Sequence, residues 1–247
     1  MRNAWTIAKR EFNLYFISPV AYVVAFTLFL VLGIIFNFNF ATTALGGFGG
    51  PPQVTQWVFG PFVTLVLFLT PGLTMRLLSE EQRTGTLELL LTAPIKEWEL
   101  VTGKWLAAVA FMCVILFISA IYFLIGNAIT DPGLDWGVVG SAYVGFLLLV
   151  AALMAIGVFT SSLFANQIAA FFATFAITLG LWLVGLFAPQ GETGVFAEVV
   201  RYLDISGHYY DNFIRGVLDL SSALYFVSVI VLFLFLATRV VESRRWR

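Results

Sequence analysis

"SEEQRTGTLELLLTAPIKEWE", residues Ser79–Glu99, sets five glutamates, one arginine and one lysine around a run of four leucines in five positions. Outward from this stretch the charge disappears. No Asp, Glu, Lys or Arg lies between Glu11 and Arg76, and none lies between Asp135 and Glu192. About 20 apolar residues already cross a bilayer, so runs of this length exceed what the core of a soluble domain needs. The whole chain of 247 residues is 60% hydrophobic and only 11% charged, against about a quarter charged in soluble domains. The pattern predicts an all-α, polytopic membrane protein.

Six apolar segments are each long enough to span with some tilt: residues 19–40, 57–77, 105–129, 137–164, 168–188 and 221–241. Pro19 suits the first turn of a helix, where its missing N–H is not needed. "GGFGGPP", Gly46 to Pro52, and "TDPG", Thr130 to Gly133, mark breaks. The first segment is too long for the core of a signal peptide and is expected to stay as a span. Basic residues set the orientation. With the N-terminus inside, eleven of them, from Arg2 to Arg247, fall on the cytoplasmic side, and only Arg201 and Arg215 fall outside. Both termini are expected in the cytoplasm.

Before the first span, Trp5, Ala8, Phe12 and Tyr15 recur at helical spacing, while Thr6, Lys9, Arg10 and Asn13 take the other side. This predicts an amphipathic helix lying along the membrane, as an orientation anchor, a docking element or both. Before the last span, residues 191–222 are too charged to cross. Two stripes, Phe196, Val199, Val200 and Leu203, then Tyr210, Phe213, Ile214 and Val217, predict two short helices on the outer leaflet. His208 between them reads as a hydrogen-bonded surface residue.

Several chemistries lack their residues. There is no phosphate-binding G-x-x-x-x-G-K-[ST] loop, and no charged side chain or histidine in the middle of a span to relay protons or ions. One cysteine, Cys113, and one histidine exclude a disulfide framework or a Cys/His metal cluster within one chain. A net charge of −1 gives no field for nucleic acid. No catalytic or metal site is expected. Buried hydroxyls and amides such as Ser119, Tyr122, Ser161, Thr174 and Thr178 are expected to bond between helices. Ala165, Ala169 and Ala173 form a small-residue stripe that suits close packing, within the chain or between chains.

In the opening stretch, Ser79 and Gln82 fit a capping box for a short helix that Gly85 ends. Thr86 then caps a second short helix through Leu91, which Pro94 terminates. Leu87, Leu89, Leu90 and Leu91 cover much of that helix, with Glu88 between them. An acidic, leucine-rich helix fits a groove on another protein better than an anionic leaflet, which favours basic segments.

"EEQRTGTLELLLTAPIKEWELVTGK", Glu80 to Lys104, resembles the segment between the second and third spans of ABC-2 type transporter permeases. "REFNLYFISPVAYV" near the start and "DNFIRGVLDLSSALYFVSVIVLFLFLATRVVESRRW" near the end are similar to the gliding-motility GldF-like subfamily. The resemblance implies six spans with a connecting helix (residues 1–18) before a transmembrane domain (residues 19–247). It also implies a cytoplasmic coupling helix and short outer re-entrant helices before the last span. By the same resemblance, a separate ATP-binding subunit docks on the coupling region: Glu80, Glu81, Arg83, Thr86, Leu87, Glu88, Leu90 and Leu91. The connecting helix contributes Trp5, Lys9, Arg10 and Phe12, and a smaller second contact falls at Ser162, Asn166 and Gln167. A second permease chain, identical or homologous, completes the transporter in the bacterial inner membrane. ATP and magnesium sit in the partner, so this chain holds no cofactor. The implied function is ATP-driven transport, with export as the expected direction. The alternative is a mechanotransmission anchor that passes ATPase motion to a periplasmic partner without carrying cargo. No residue is assigned to a substrate path.

Overall fold

The computed structural model describes residues 2–44, 53–87, 95–130, 133–187 and 194–244. Its described residues form helices and no strands. In order they are α1 (Arg2–Ile17), α2 (Pro19–Ala44), α3 (Val54–Thr74), α4 (Ser79–Arg83), α5 (Glu97–Ile129), α6 (Trp136–Leu163), α7 (Gln167–Leu183), α8 (Val195–Leu203), α9 (Gly207–Tyr210) and α10 (Leu220–Arg244). Short 3₁₀ turns follow α7, at Val184–Phe187, and α9, at Phe213–Arg215. Both glycine-rich "GGFGGPP" and the leucine run beyond Leu87 lie outside the described residues.

Five helical stretches are long and apolar enough to cross a membrane: α2, α3 continued into α4, α5, α6 and α10. The chain is a multi-pass membrane protein. α7, the expected fifth span, has 17 residues, about 25 Å of helix at 1.5 Å per residue, with the 3₁₀ turn extending it to Phe187. That is the lower end of what spans hydrocarbon. Pro19 is the first residue of α2, as its fixed φ and missing donor favour.

Burial ranks the helices by role. α6 is central: 72% of its most apolar window is buried within the molecule, against 28% for α2 and α10. On α2 the outward stripe is Tyr22, Val23, Phe26, Leu30, Ile34 and Phe38, an apolar surface suited to hydrocarbon. Interhelical hydrogen bonds use side chains with few other options: Tyr122 donates to the Phe29 carbonyl (2.9 Å) and Trp105 Nε1 to the Ala151 carbonyl (2.9 Å). The Thr160 and Thr174 hydroxyls bond to each other across α6 and α7. The inner stripe of α7 is Ala170, Thr174 and Thr178, each fully buried. Ala169 and Ala173 are half-buried beside it and Ala165 is exposed, so the small-residue stripe stands one position off the intrachain seam.

α5 begins at Glu97, eight residues before the third apolar segment expected from residue 105, because the polar turn Glu97–Lys104 is already helical. α1 lies along this early part of α5. At Gly103 an added Cβ would meet the Ala4 carbonyl oxygen at 2.8 Å and the Ile7 Cβ at 2.9 Å, so glycine is what lets the two backbones approach.

At the other end of the bundle, the polar segment before α10 is anchored to two helices, α6 and α3, by three hydrogen bonds. Ser141 donates to the Phe213 carbonyl (2.8 Å), Tyr209 to that of Ala142 (3.3 Å) and Tyr210 to that of Gly60 (3.0 Å). The Phe213 ring fills the space over Gly145, where an added Cβ would meet it at 2.2 Å. The first expected outer helix forms as α8, but its inward face is Ala197 and Val200, with Val199 and Leu203 exposed. The second does not form as one helix. α9 is a single turn and Gly216, at φ 93°, stops the 3₁₀ turn after it, so Tyr209, Phe213 and Ile214 point inward while Val217 is exposed. His208 is bonded, as expected: Nε2 is 3.1 Å from the Tyr202 carbonyl, and the ring stacks on Tyr225 at 4.0 Å.

Candidate functional site

The described cations gather at two ends. Lys9, Arg10, Arg76, Arg83, Lys96, Lys104, Arg239 and Arg244 belong to the end where α1, α4 and the C-termini of α6 and α10 meet, and Arg201 and Arg215 to the other. The basic end is built around a buried ammonium. Lys104, on α5, is 2% exposed; its Nζ lies 3.0 Å from Glu11 Oε1 on α1 and 2.8 Å from Glu81 Oε1 on α4. A desolvated ammonium is tolerable only when paired, and here two carboxylates from separate helices supply the pairing. Glu11 falls on the inner stripe of α1 with Ala4, Ile7, Ala8 and Tyr15. Lys104 shares the inner face of α5 with Leu100, Val101, Ala107 and Ala108.

Further bonds hold α1 and α4 in place. Asn3 Nδ2 donates to Glu99 Oε2 (3.0 Å). Tyr15 stacks on Phe111 at 5.0 Å and donates to the Leu73 carbonyl (3.0 Å). α3 ends at Thr74 and α4 starts at Ser79, so the first amides of α4 need acceptors from outside the helix. The Ser161 hydroxyl supplies one, accepting from Leu78 N–H (2.9 Å) and Ser79 N–H (3.0 Å) while donating to the Met75 carbonyl (3.1 Å). The expected capping box of Ser79 and Gln82 is therefore absent. Ser79 donates back to the Met75 carbonyl, and Gln82 reaches across to the Ser162 carbonyl (2.8 Å). Arg244, on α10, donates to the Leu163 (3.1 Å) and Ser162 (3.3 Å) carbonyls, closing the C-terminus of α6 with a cation.

The residues expected to dock a partner divide in two. Glu80, Arg83, Thr86, Lys9 and Arg10 are exposed, and Trp5 is 69% exposed. The inner face of α1 is thus turned from the expected Trp5–Ala8–Phe12–Tyr15 stripe toward Ala4, Ile7 and Glu11; Phe12 is half-buried. Glu81 faces Lys104, and Leu87 is 4% exposed within the core. Gly85, at φ 71°, ends the α4 turn as expected, and Thr86 and Leu87 are helical. Glu88, Leu90 and Leu91 lie outside the described residues. Ser162 is buried, offering its carbonyl to Gln82 and Arg244; Asn166 is exposed and caps α7 by accepting from Ile168 N–H (2.9 Å), with Gln167 half-buried beside it.

Ser161 bonds between helices as expected, but sequence reasoning missed the pairing of Glu11 with Lys104. The signal was present for Glu11. Glu11 stands at i+7 from Ala4 and four before Tyr15, and an acid on the apolar stripe of a helix calls for a buried partner.

Residues 56–244, from the start of α3 to the last turn of α10, match the family model described as ABC-2 family transporter protein. The chain belongs to the ABC-2 transporter family. It is a transmembrane permease subunit of an ABC transporter, a family of membrane subunits that in general work as pairs with an ATP-binding partner. No curated protein matches this permease closely enough to be counted a relative. The family match begins after α2, so α1, which supplies Glu11, lies outside the matched residues.

Proposed function

We propose that the basic end of this permease is cytoplasmic and docks a separate ATP-binding subunit, with α1 and the segment from Glu80 to Leu91 as its grip. The observation that supports this reading is the Glu11–Lys104–Glu81 cluster, which ties α1, α4 and α5 through one buried charge. A push on either surface helix is then delivered to the long helix α5 rather than absorbed by a loose segment. ATP binding closes the partner subunits, the tied helices shift together, and the spans, α7 included as the sixth, move between inward- and outward-open arrangements. A packed element of this kind moves as a unit between discrete states, and ATP biases them only by its differential affinity. Two such permease chains and two ATPase subunits make the transporter, and export is the proposed direction. A mechanotransmission role is the second reading. It draws on the segment from α8 to the 3₁₀ turn, which is bonded to α3 and α6 and carries Val195, Val199 and Tyr202 exposed at the opposite end.

The exposed residues give the test. Glu80→Arg with Arg83→Glu exchanges the two exposed charges of the grip in place, with the net charge unchanged and the core untouched, whereas Leu87 is buried and a polar substitution there unfolds what it probes. The double variant is expected to lose an ATP-binding subunit that co-purifies with the native chain in mild detergent, while Arg215→Glu at the other end retains it. Full retention by the double variant overturns the assignment.

A further inference from the structure

A cavity of about 560 Å³ lies between α1, the end of α3, α4 and α5, within the roughly 300–1,000 Å³ range of small-molecule sites. Its lining changes character along one direction. Leu14, Ala21 and Leu73 form an apolar part at the ends of α2 and α3, and Arg10, Arg76 and Glu80 form a charged part beyond it.

The charges are not equivalent. Lys104 is committed to Glu11 and Glu81. Arg10 and Arg76 are exposed and have no ion-pair partner among the described residues. Arg10 acts on the Glu81 carboxylate only at longer range, and two guanidiniums without a close ion pair beside the apolar part of the pocket suit a phosphate with a hydrocarbon tail, since arginine matches phosphate oxygens in paired hydrogen bonds. The surface continuous with the apolar part is the outward stripe of Ile17, Tyr22, Val23 and Phe26, between 60% and 75% exposed, which faces the bilayer. The geometry points to a phospholipid site: the phosphodiester headgroup sits between Arg10 and Arg76, and its glycerol and first methylenes lie along Leu14, Ala21 and Leu73. A lipid held there wedges between α1 and α3 beside the Glu11–Lys104–Glu81 cluster, so its presence sets how firmly α1 is seated.

The test needs no ATP-binding subunit, so its failure leaves the docking proposal standing. The full chain is placed in nanodiscs containing phosphatidylethanolamine with a diazirine near the acyl carbonyl, irradiated, and its labelled peptides are mapped by mass spectrometry. Labelling is expected to concentrate on residues 14–21 and 72–77 relative to the lipid-facing Val231, Leu232 and Phe235 of α10. Arg10→Gln with Arg76→Gln is expected to reduce it about fivefold or more, leaving the α10 labelling and the thermal midpoint unchanged. Equal labelling of the cavity and α10, or an unaffected double variant, overturns the proposal. So does loss of labelling in excess inorganic phosphate, which assigns the arginines to a soluble anion. Complete displacement by a purified ATP-binding subunit also overturns it, since the cavity is then a protein groove.

Discussion

Lys104→Met is the most informative single perturbation of this molecule. The substitution keeps the length and apolar stem of the side chain but removes the ammonium between Glu11 Oε1 at 3.0 Å and Glu81 Oε1 at 2.8 Å. Two carboxylates, 13% and 17% exposed, are then left facing each other without a counter-ion. Removing one partner of a buried ion pair costs about 3–5 kcal/mol. For a domain of this length each kcal/mol moves Tm by about 2–4 °C, so the purified variant is expected to melt roughly 6–20 °C lower. The triple variant Lys104→Met, Glu11→Met, Glu81→Met removes the stranded charges as well, and replacing a buried ionic cluster by well-packed apolar side chains of similar volume is often close to neutral. It is expected to recover most of the lost midpoint. Hydrogen exchange locates the effect, with α1 amides deprotected in the single variant and α6 amides unchanged. A single variant within about 2 °C of the native chain, less than 1 kcal/mol on this scale, refutes the reasoning. A triple variant as unstable as the single one refutes it too, because the damage then came from packing and not from unpaired charge.

Ser161→Ala removes the acceptor shared by the Leu78 and Ser79 amides. Each buried donor left unsatisfied costs about 1–3 kcal/mol, so α4 amides are expected to exchange faster while α10 is unchanged; Ser161→Thr, which keeps the hydroxyl, is the comparison. Asp219 caps α10: its carboxylate is held below the usual range, first by the Ser222 hydroxyl and then by the Ser222 and Ser221 amides. Because its folded pKa is depressed, the stabilisation is full above the ordinary aspartate value of about 3.9 and is lost as pH falls through the lower folded value. Asp219→Asn is therefore expected to speed exchange at the start of α10 at neutral pH. The difference from the native chain closes in strong acid, as the native carboxylate takes up its proton.

The sequence by itself determined the membrane class, the helical content, and the segregation of basic residues to one end. These follow from composition and from uncharged runs, because a bilayer admits only backbone that bonds to itself and side chains that are apolar. Gly85 after α4, the proline that opens α2 and the bonded state of His208 were legible for similarly local reasons. Rotational settings were not. Whether α1 buries Trp5 or Glu11 differs by a small turn about the helix axis, and only the approach of Gly103 to Ala4 and the position of Lys104 decide it. Whether Ser79 and Gln82 cap their own helix or bond to α6 depends on Ser161, 82 residues further along the chain from Ser79. Glu81 and Leu87 read as surface residues beside Glu80 and Arg83, yet tertiary packing turns both inward. The physical reason is common to these cases. Local spacing fixes which residues share a face of a helix, but a buried charge or an open amide end is satisfied by groups distant in sequence. The face that turns inward is the one whose partners are there.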